Sequence, residues 1–325
     1  MAGRRARPDP ILDLTVSNPT TVGVAYPETL TAPWSNAAGL RYEPDPRGLR
    51  FGRQAVTGWY AAMGEPGSPD DLILTASTSE AYSHLFKLLC NPGDSVLVPC
   101  PSYPLFEHLA QLDAVTVERY TCRDAGRWVL DEVDLAARIM PRTRALIVVA
   151  PNNPTGSVPT PDEWDVLTDT CRRHGLALIV DEVFADYPLG GRDRFVTPIS
   201  SDVLTFRLNG LSKLVGLPQA KLGWIRVSGG DTRRRAALDA LEVIADTYLS
   251  VSTPVQLAVP ALLEQGALVR QQIQARLAGN LALITARLAG SAFDVRVPDG
   301  GWSVVLRVPE VADAATLVLA LLERG

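Results

Sequence analysis

The sequence predicts an α/β fold: a mostly parallel seven-stranded sheet flanked by helices, followed by a smaller α+β unit. Two observations carry this. Up to about residue 260, apolar runs of strand length alternate with stretches of helical period, as in sheets covered by helices on both faces. Beyond that point the pattern changes to one long helical stretch, two short strands and a terminal helix.

Seven runs read as strands: residues 72–75, 95–99, 115–120, 145–150, 176–180, 203–208 and 222–227. Clusters of Gly, Pro, Asn, Asp and Ser punctuate them. Helical spacing appears between them at 81–90, 105–112 and 161–174. Later, Val269, Ile273, Leu277, Leu281, Ile284 and Leu288 keep it for several turns. Residues 293–297 and 303–308 then read as short strands, and 311 to the end as a helix. A length of 325 residues suits two domains with ample core, and there is no internal repeat or low-complexity tract.

Composition excludes several classes. A net charge of −5 offers no basic patch for nucleic acid. No apolar run reaches the roughly 18 to 20 residues of a membrane span, and the basic start MAGRRARPDP leads into no signal core. Cys90, Cys100, Cys122 and Cys171 show neither C-x-x-C spacing nor a disulfide framework, and the three histidines are scattered. No metal or disulfide is expected, and a reducing cytoplasm is the default location.

Lysine usage is the most informative local signal. Of 31 basic residues only three are lysine, and two of them, Lys213 and Lys221, stand in the turn-rich stretch NGLSKLVGLPQAKLGW. Lysine offers what arginine cannot: an amine that deprotonates, condenses with an aldehyde and then serves as a general base. Lys87, inside EAYSHLFKLL, reads as a surface lysine. Lys213 falls in an irregular turn between two strands, where α/β folds place their chemistry.

Three other strand ends carry candidate chemistry. In TASTSE, Ser77 and Glu80 have capping-box spacing; the same helix start could simply be capped or could hold a phosphate. PNNPTG is either punctuation or a device that fixes an amide at the carboxyl edge of the sheet. Asp181 and Glu182 follow five apolar residues, which suits either a helix cap or partners for a buried cation.

Together, YEPDPRGLRFGRQAV, TASTSEA, PSYPLFEH, PNNPTG, DEVFADY, SKLVGLPQAKLGW and PDGGW resemble, in order and spacing, the aspartate aminotransferase superfamily of class I/II aminotransferases. These are fold type I enzymes dependent on pyridoxal 5′-phosphate (PLP), and the resemblance runs from about Leu12 onward. It implies that Lys213 carries PLP as a Schiff base and that Asp181 faces the pyridine nitrogen. Asn153 would donate to the phenolate oxygen and Tyr103 would stack on the ring. Ser77, Thr78 and Ser79 would bind the phosphate, and Tyr42 would reach a phosphate in the neighbouring subunit of a homodimer with shared active sites.

Three departures accompany it. Lys221 stands where many members have arginine on the phosphate. Phe184 replaces a tyrosine that reaches the phenolate oxygen, leaving Asn153 and Tyr187 as donors. The sequence stops at Gly325, before the relatives' further strand and the arginine that grips the substrate α-carboxylate, with Arg307 as a candidate substitute. The resemblance thus implies an aminotransferase acting on an amino acid and a 2-keto acid, located in the cytoplasm. The alternatives are a PLP-dependent β/γ-lyase and a non-catalytic PLP-binding protein. The expected organisation is an N-terminal arm (1–45), a large PLP-binding domain (46–262) and a small domain (263–325) lacking its usual end.

Overall fold

The computed structural model describes residues 13, 16–191 and 194–324; the start of the expected N-terminal arm lies outside them. After several short 3-10 turns and α1 (Arg50–Ala62), the chain builds β1 (Leu72–Thr75), α2 (Thr78–Leu89), β2 (Ser95–Cys100), α3 (Leu105–Leu112) and β3 (Thr116–Asp124). It continues with β4 (Trp128–Leu130), α4 (Glu132–Arg138), β5 (Thr143–Val149), α5 (Pro161–His174) and β6 (Ala177–Asp181). Then come β7 (Thr205–Gly210), α6 (Leu211–Leu214), β8 (Gly223–Ser228), α7 (Asp231–Asp246) and α8 (Thr253–Leu288). The hairpin β9 (Asp294–Arg296) and β10 (Val305–Arg307) precedes α9 (Ala314–Arg324).

The large sheet has the order β1-β8-β7-β6-β5-β2-β3-β4. The central ladders β7-β6-β5-β2-β3 are parallel, while β8 runs against both β7 and β1. All seven anticipated strands are present. The eighth, β4, is a three-residue edge strand that turns back on β3, too short to register as an apolar run. Strand β6 is buried at every residue, which explains why it reads as continuous rather than alternating hydrophobicity. Helix α5 shows local signals agreeing with the fold: a Thr160/Glu163 capping box, Pro161 in the first turn, and Gly175 in the left-handed conformation that ends it.

Each face of the sheet carries its own core. Ile147, Ile179, Phe206, Leu208 and Ile225 pack with α2, α3 and α7 residues such as Leu85, Phe106 and Leu241. On the other face, Leu146, Val148 and Val180 pack with Trp164 and Leu167 of α5. Beside them Leu74 and Trp224 join Val56, Tyr60, Val259 and Leu262 of α1 and α8. Among the described residues no helix is long and apolar enough to cross a membrane. The four cysteines are free.

Candidate active site

Because β1 runs with β7, the turns after β1, β2, β5, β6 and β7 all open on one edge of the sheet. The sequence-predicted TASTSE, PSY, PNNPTG, DE and SK segments occupy these turns, at the carboxyl edge where open α/β sheets bind ligands.

Lys213 lies on α6, a single helical turn directly after β7, which corrects the expectation of an irregular turn. Leu211 and Leu214 are fully buried and close that turn onto the core. The Lys213 ammonium stands 4.6 Å from the ring centre of Trp302 and 5.7 Å from that of Phe184. Burial lowers its pKa, partly offset by the charge of Asp181. The backbone after it is clamped from several sides: Tyr187 Oη donates to the Lys213 carbonyl, and Tyr26 Oη donates to the Gly216 carbonyl at 2.6 Å. Below, α8 presents Gly266, where a Cβ would come within 2.3 Å of Val215 Cβ. The Tyr187 hydroxyl is therefore engaged with backbone, which leaves Asn153 as the other anticipated donor.

Asp181 ends β6 as a buried carboxylate. Tyr82 Oη donates to Oδ2 at 3.0 Å and the Val183 amide to Oδ1 at 3.1 Å. Burial pushes its pKa up to about 6, opposed by these two hydrogen bonds and raised further by the charge of Glu182.

At the start of α2, Ser77 Oγ accepts from the Glu80 amide at 3.1 Å. The return contact of the expected capping box falls one residue earlier, with the Ala76 amide donating to Glu80 Oε2 at 2.6 Å. Glu80 N and Ala81 N are thus satisfied by Ser77, leaving the amides of Thr78 and Ser79 for a ligand at this helix end. The alignment depends on Gly223, where a Cβ would come within 3.2 Å of the Ser77 carbonyl carbon and of Thr78 N.

In PNNPTG the fixed amide is Asn152. Its Nδ2 donates to Pro101 O at 2.8 Å and Thr155 Oγ1 at 2.9 Å, and its Oδ1 accepts from Ser102 Oγ at 3.2 Å. It ties the turns after β2 and β5 together, with Asn153 half-buried beside it. Tyr103 is 45% exposed and stands edge-on to Phe106. Lys221 is exposed and left-handed (φ 51°), at the entry to β8. Tyr42 is 77% exposed on the N-terminal arm. Arg307 is exposed on β10, paired in register with Asp294. Lys87 is exposed and bridges to Asp113, as its surface reading anticipates.

Trp302 is held in place by a clasp. Gly300 N donates to Gly156 O at 3.0 Å, Gly301 N to Tyr187 O at 2.9 Å, Leu189 N to Asp299 O at 2.8 Å and Val158 N to Asp299 Oδ2 at 3.1 Å. Its ring packs on Phe184 and Tyr187, at 5.6 and 5.2 Å between centres.

Behind β6, Glu182 Oε1 accepts from Arg207 Nε at 2.7 Å and from Thr197 Oγ1. Arg207 reaches Glu65 at 2.6 Å, and Arg194 joins Glu65 at 2.7 Å to Asp186 at 3.0 Å. The open alternative for the Asp-Glu pair thus resolves in favour of a buried cation, at Glu182. Sequence reasoning missed this assembly and Tyr82, whereas Trp302, beside Gly300 and Gly301, reads from sequence either as a pocket residue or as a core tryptophan, and it stands against Lys213. One signal was present: Arg207 and Arg226 interrupt otherwise apolar strands, and an arginine in a buried strand requires partners.

With this geometry in view, the family follows. The chain belongs to the aminotransferase class I and II family, whose model matches residues 39–325. It is similar to the glutamate-pyruvate aminotransferase AlaA of Escherichia coli K12, at 29% identity over 256 residues, covering 78% of this chain and 63% of that protein. It is also 31% identical over 262 residues to an alanine aminotransferase of Mycobacterium bovis, covering 78% of this chain and 60% of that one. The chain therefore spans less than two thirds of the length of these relatives. A crystal structure of an Escherichia coli aminotransferase superposes with a TM-score of 0.83 at 25% identity, covering 98% of this chain and 81% of the other.

Proposed function

We propose that this chain binds PLP at the carboxyl edge of its sheet and uses Lys213 to move an amino group between an amino acid and a 2-keto acid. The observation that carries the reading is the placement of the half-buried Lys213 amine, against the Phe184 and Trp302 rings, at the same sheet edge as the buried Asp181 carboxylate, each acting on the other's titration. The described residues fit the cofactor. A phosphate suits the α2 end at Ser77, Thr78 and Ser79, with Lys221 as a further cation. Asp181 retains acceptor capacity beyond Tyr82 and Val183 for a protonated ring nitrogen. Tyr103 and Asn153 flank the same edge, and Phe184 lends an apolar wall without a hydroxyl.

Bound PLP supplies an aldehyde and an electron-withdrawing ring. Lys213 offers that aldehyde an amine that burial keeps closer to its neutral form. Its Nζ would take the proton from the substrate α-carbon, with Phe184 and Trp302 excluding water around it. The names of the similar proteins point to small amino acids and glutamate with their keto acids as substrates. The same reading includes a cytoplasmic homodimer in which Tyr42 serves the neighbouring site. It also keeps the division into 1–45, 46–262 and 263–325, whose last boundary falls inside the continuous helix α8.

Borohydride treatment of PLP-loaded protein should trap cofactor on the unmodified chain and on Lys221→Ala, and none on Lys213→Ala; equal trapping in the last would refute the assignment. An amino-acid panel followed by cofactor absorbance, with recovery by a second keto acid, separates transamination from elimination.

A further inference from the structure

Asp181 and Glu182 are consecutive, so they leave β6 on opposite faces of the sheet. Asp181 is opposite Leu208, which is opposite Ile225, and meets Tyr82 of α2 on that face. Glu182 shares the other face with Val180, Arg207 and Arg226, paired in that order across β6, β7 and β8. Here Glu65, Glu182 and Asp186 interlock with Arg194, Arg207 and Arg226, three anions against three cations. The centre is buried: the Arg207 side chain is 0% exposed and that of Glu182 is 1% exposed. Arg207 and Arg226 also lie over the Tyr60 ring, at 5.4 and 4.6 Å from its centre. Stability alone does not explain such an assembly, because apolar side chains of similar volume commonly pack as well or better than a buried ion cluster. Its position offers a reason. It lies directly behind the residue whose ionisation the proposed chemistry requires, in a medium where charge acts over long distances.

We propose that Glu182 and Arg207 are positioning residues for Asp181: their neutral, hydrogen-bonded cluster fixes the end of β6 and cancels the charge behind it, so that Asp181 meets the cofactor as an anion. This rests on the reading of Asp181 given above. The groups that face Asp181 are Tyr82 and the Val183 amide, with Lys213 across the edge and Glu182 adjoining.

The test is the pH at which half the PLP is released on the acid side, read as cofactor absorbance retained after ultrafiltration. As pH falls Asp181 takes up a proton and loosens its hold, so this midpoint follows its titration. Arg207→Gln leaves a net buried anion and should raise the midpoint by about half a unit or more. Glu182→Gln leaves a net cation and should lower it similarly, and the double variant should return it to the unmodified value. A merely structural role would move both single variants the same way, and that result, or no movement, overturns the proposal. If Arg207→Gln does not fold, Arg226→Gln at the rim should give a smaller upward shift, and a downward one overturns it equally. Asp181→Asn separates the two layers of argument. Unchanged retention and an unchanged profile in that variant would remove the reading of Asp181 itself. Loss of PLP there, with unmoved midpoints in the cluster variants, would remove only the present inference.

Discussion

Asp181 illustrates a residue whose folded environment opposes its task. Its pKa of about 6 stands above the ordinary 3.8, so the folded state binds a proton more tightly than the unfolded one. The stabilisation this linkage provides is complete below the ordinary value and is lost as pH rises through about 6. Above that, the cofactor-free protein holds a buried carboxylate at a cost of up to about 3 kcal/mol. Asp181→Asn keeps an acceptor and removes the charge. It should therefore raise the Tm of the cofactor-free protein at pH 8 while leaving it nearly unchanged at pH 4, and it should weaken PLP retention. Melting curves at the two pH values check this; a lower Tm at pH 8 would show that the hydrogen bonds from Tyr82 and Val183 outweigh the desolvation. The Lys213 trapping experiment tests the other half of the same pair.

Among the elements, the fit between α8 and the turn bearing Lys213 has the least tolerance. A Cβ at Gly266 would press into Val215 Cβ at 2.3 Å, two residues after the lysine. Gly266→Ala should cost about 1 to 3 kcal/mol through overpacking and reduce the yield of trapped cofactor. Adding Val215→Ala should recover part of both, as a coupled pair requires; equal losses in the single and double variants would place the damage elsewhere. This scale also shows what the sequence could and could not disclose. The central strands were legible because strands buried on both faces are written as continuous apolar runs, and the site was legible because its motifs fall where those runs end. Helix α7 escaped notice because its sequence, DTRRRAALDALEVIAD, is charged over most of its surface and buries only Ala237, Leu238, Leu241 and Ala245. The clasp on Trp302 was invisible for another reason: its hydrogen bonds, three between backbone groups and one to the Asp299 carboxylate, join residues more than a hundred apart, and no local pattern encodes them.

For the molecule as a whole, the reading of Tyr42 makes a symmetric demand. In a two-fold dimer with shared sites, each arm completes its neighbour's pocket. Tyr42→Ala and Lys213→Ala should each retain PLP poorly or fail to trap it. After dissociation and remixing, roughly one site in four should regain both residues and trap cofactor with the affinity of the unmodified protein. No gain on mixing would show that Tyr42 does not act across the interface. The long helix adds a mechanical consequence. Its 36 residues extend about 54 Å at 1.5 Å per residue. From Gly266 outward, a tilt of about 5° would carry the far end roughly 3 Å. The β9–β10 hairpin hangs from that far end and is moored again by the clasp at residues 299–301. A third attachment, the Arg296–Asp124 ion pair at 2.8 Å between β9 and β3, denies the hairpin a single hinge line, so a tilt of α8 would press it against the large sheet rather than swing it free.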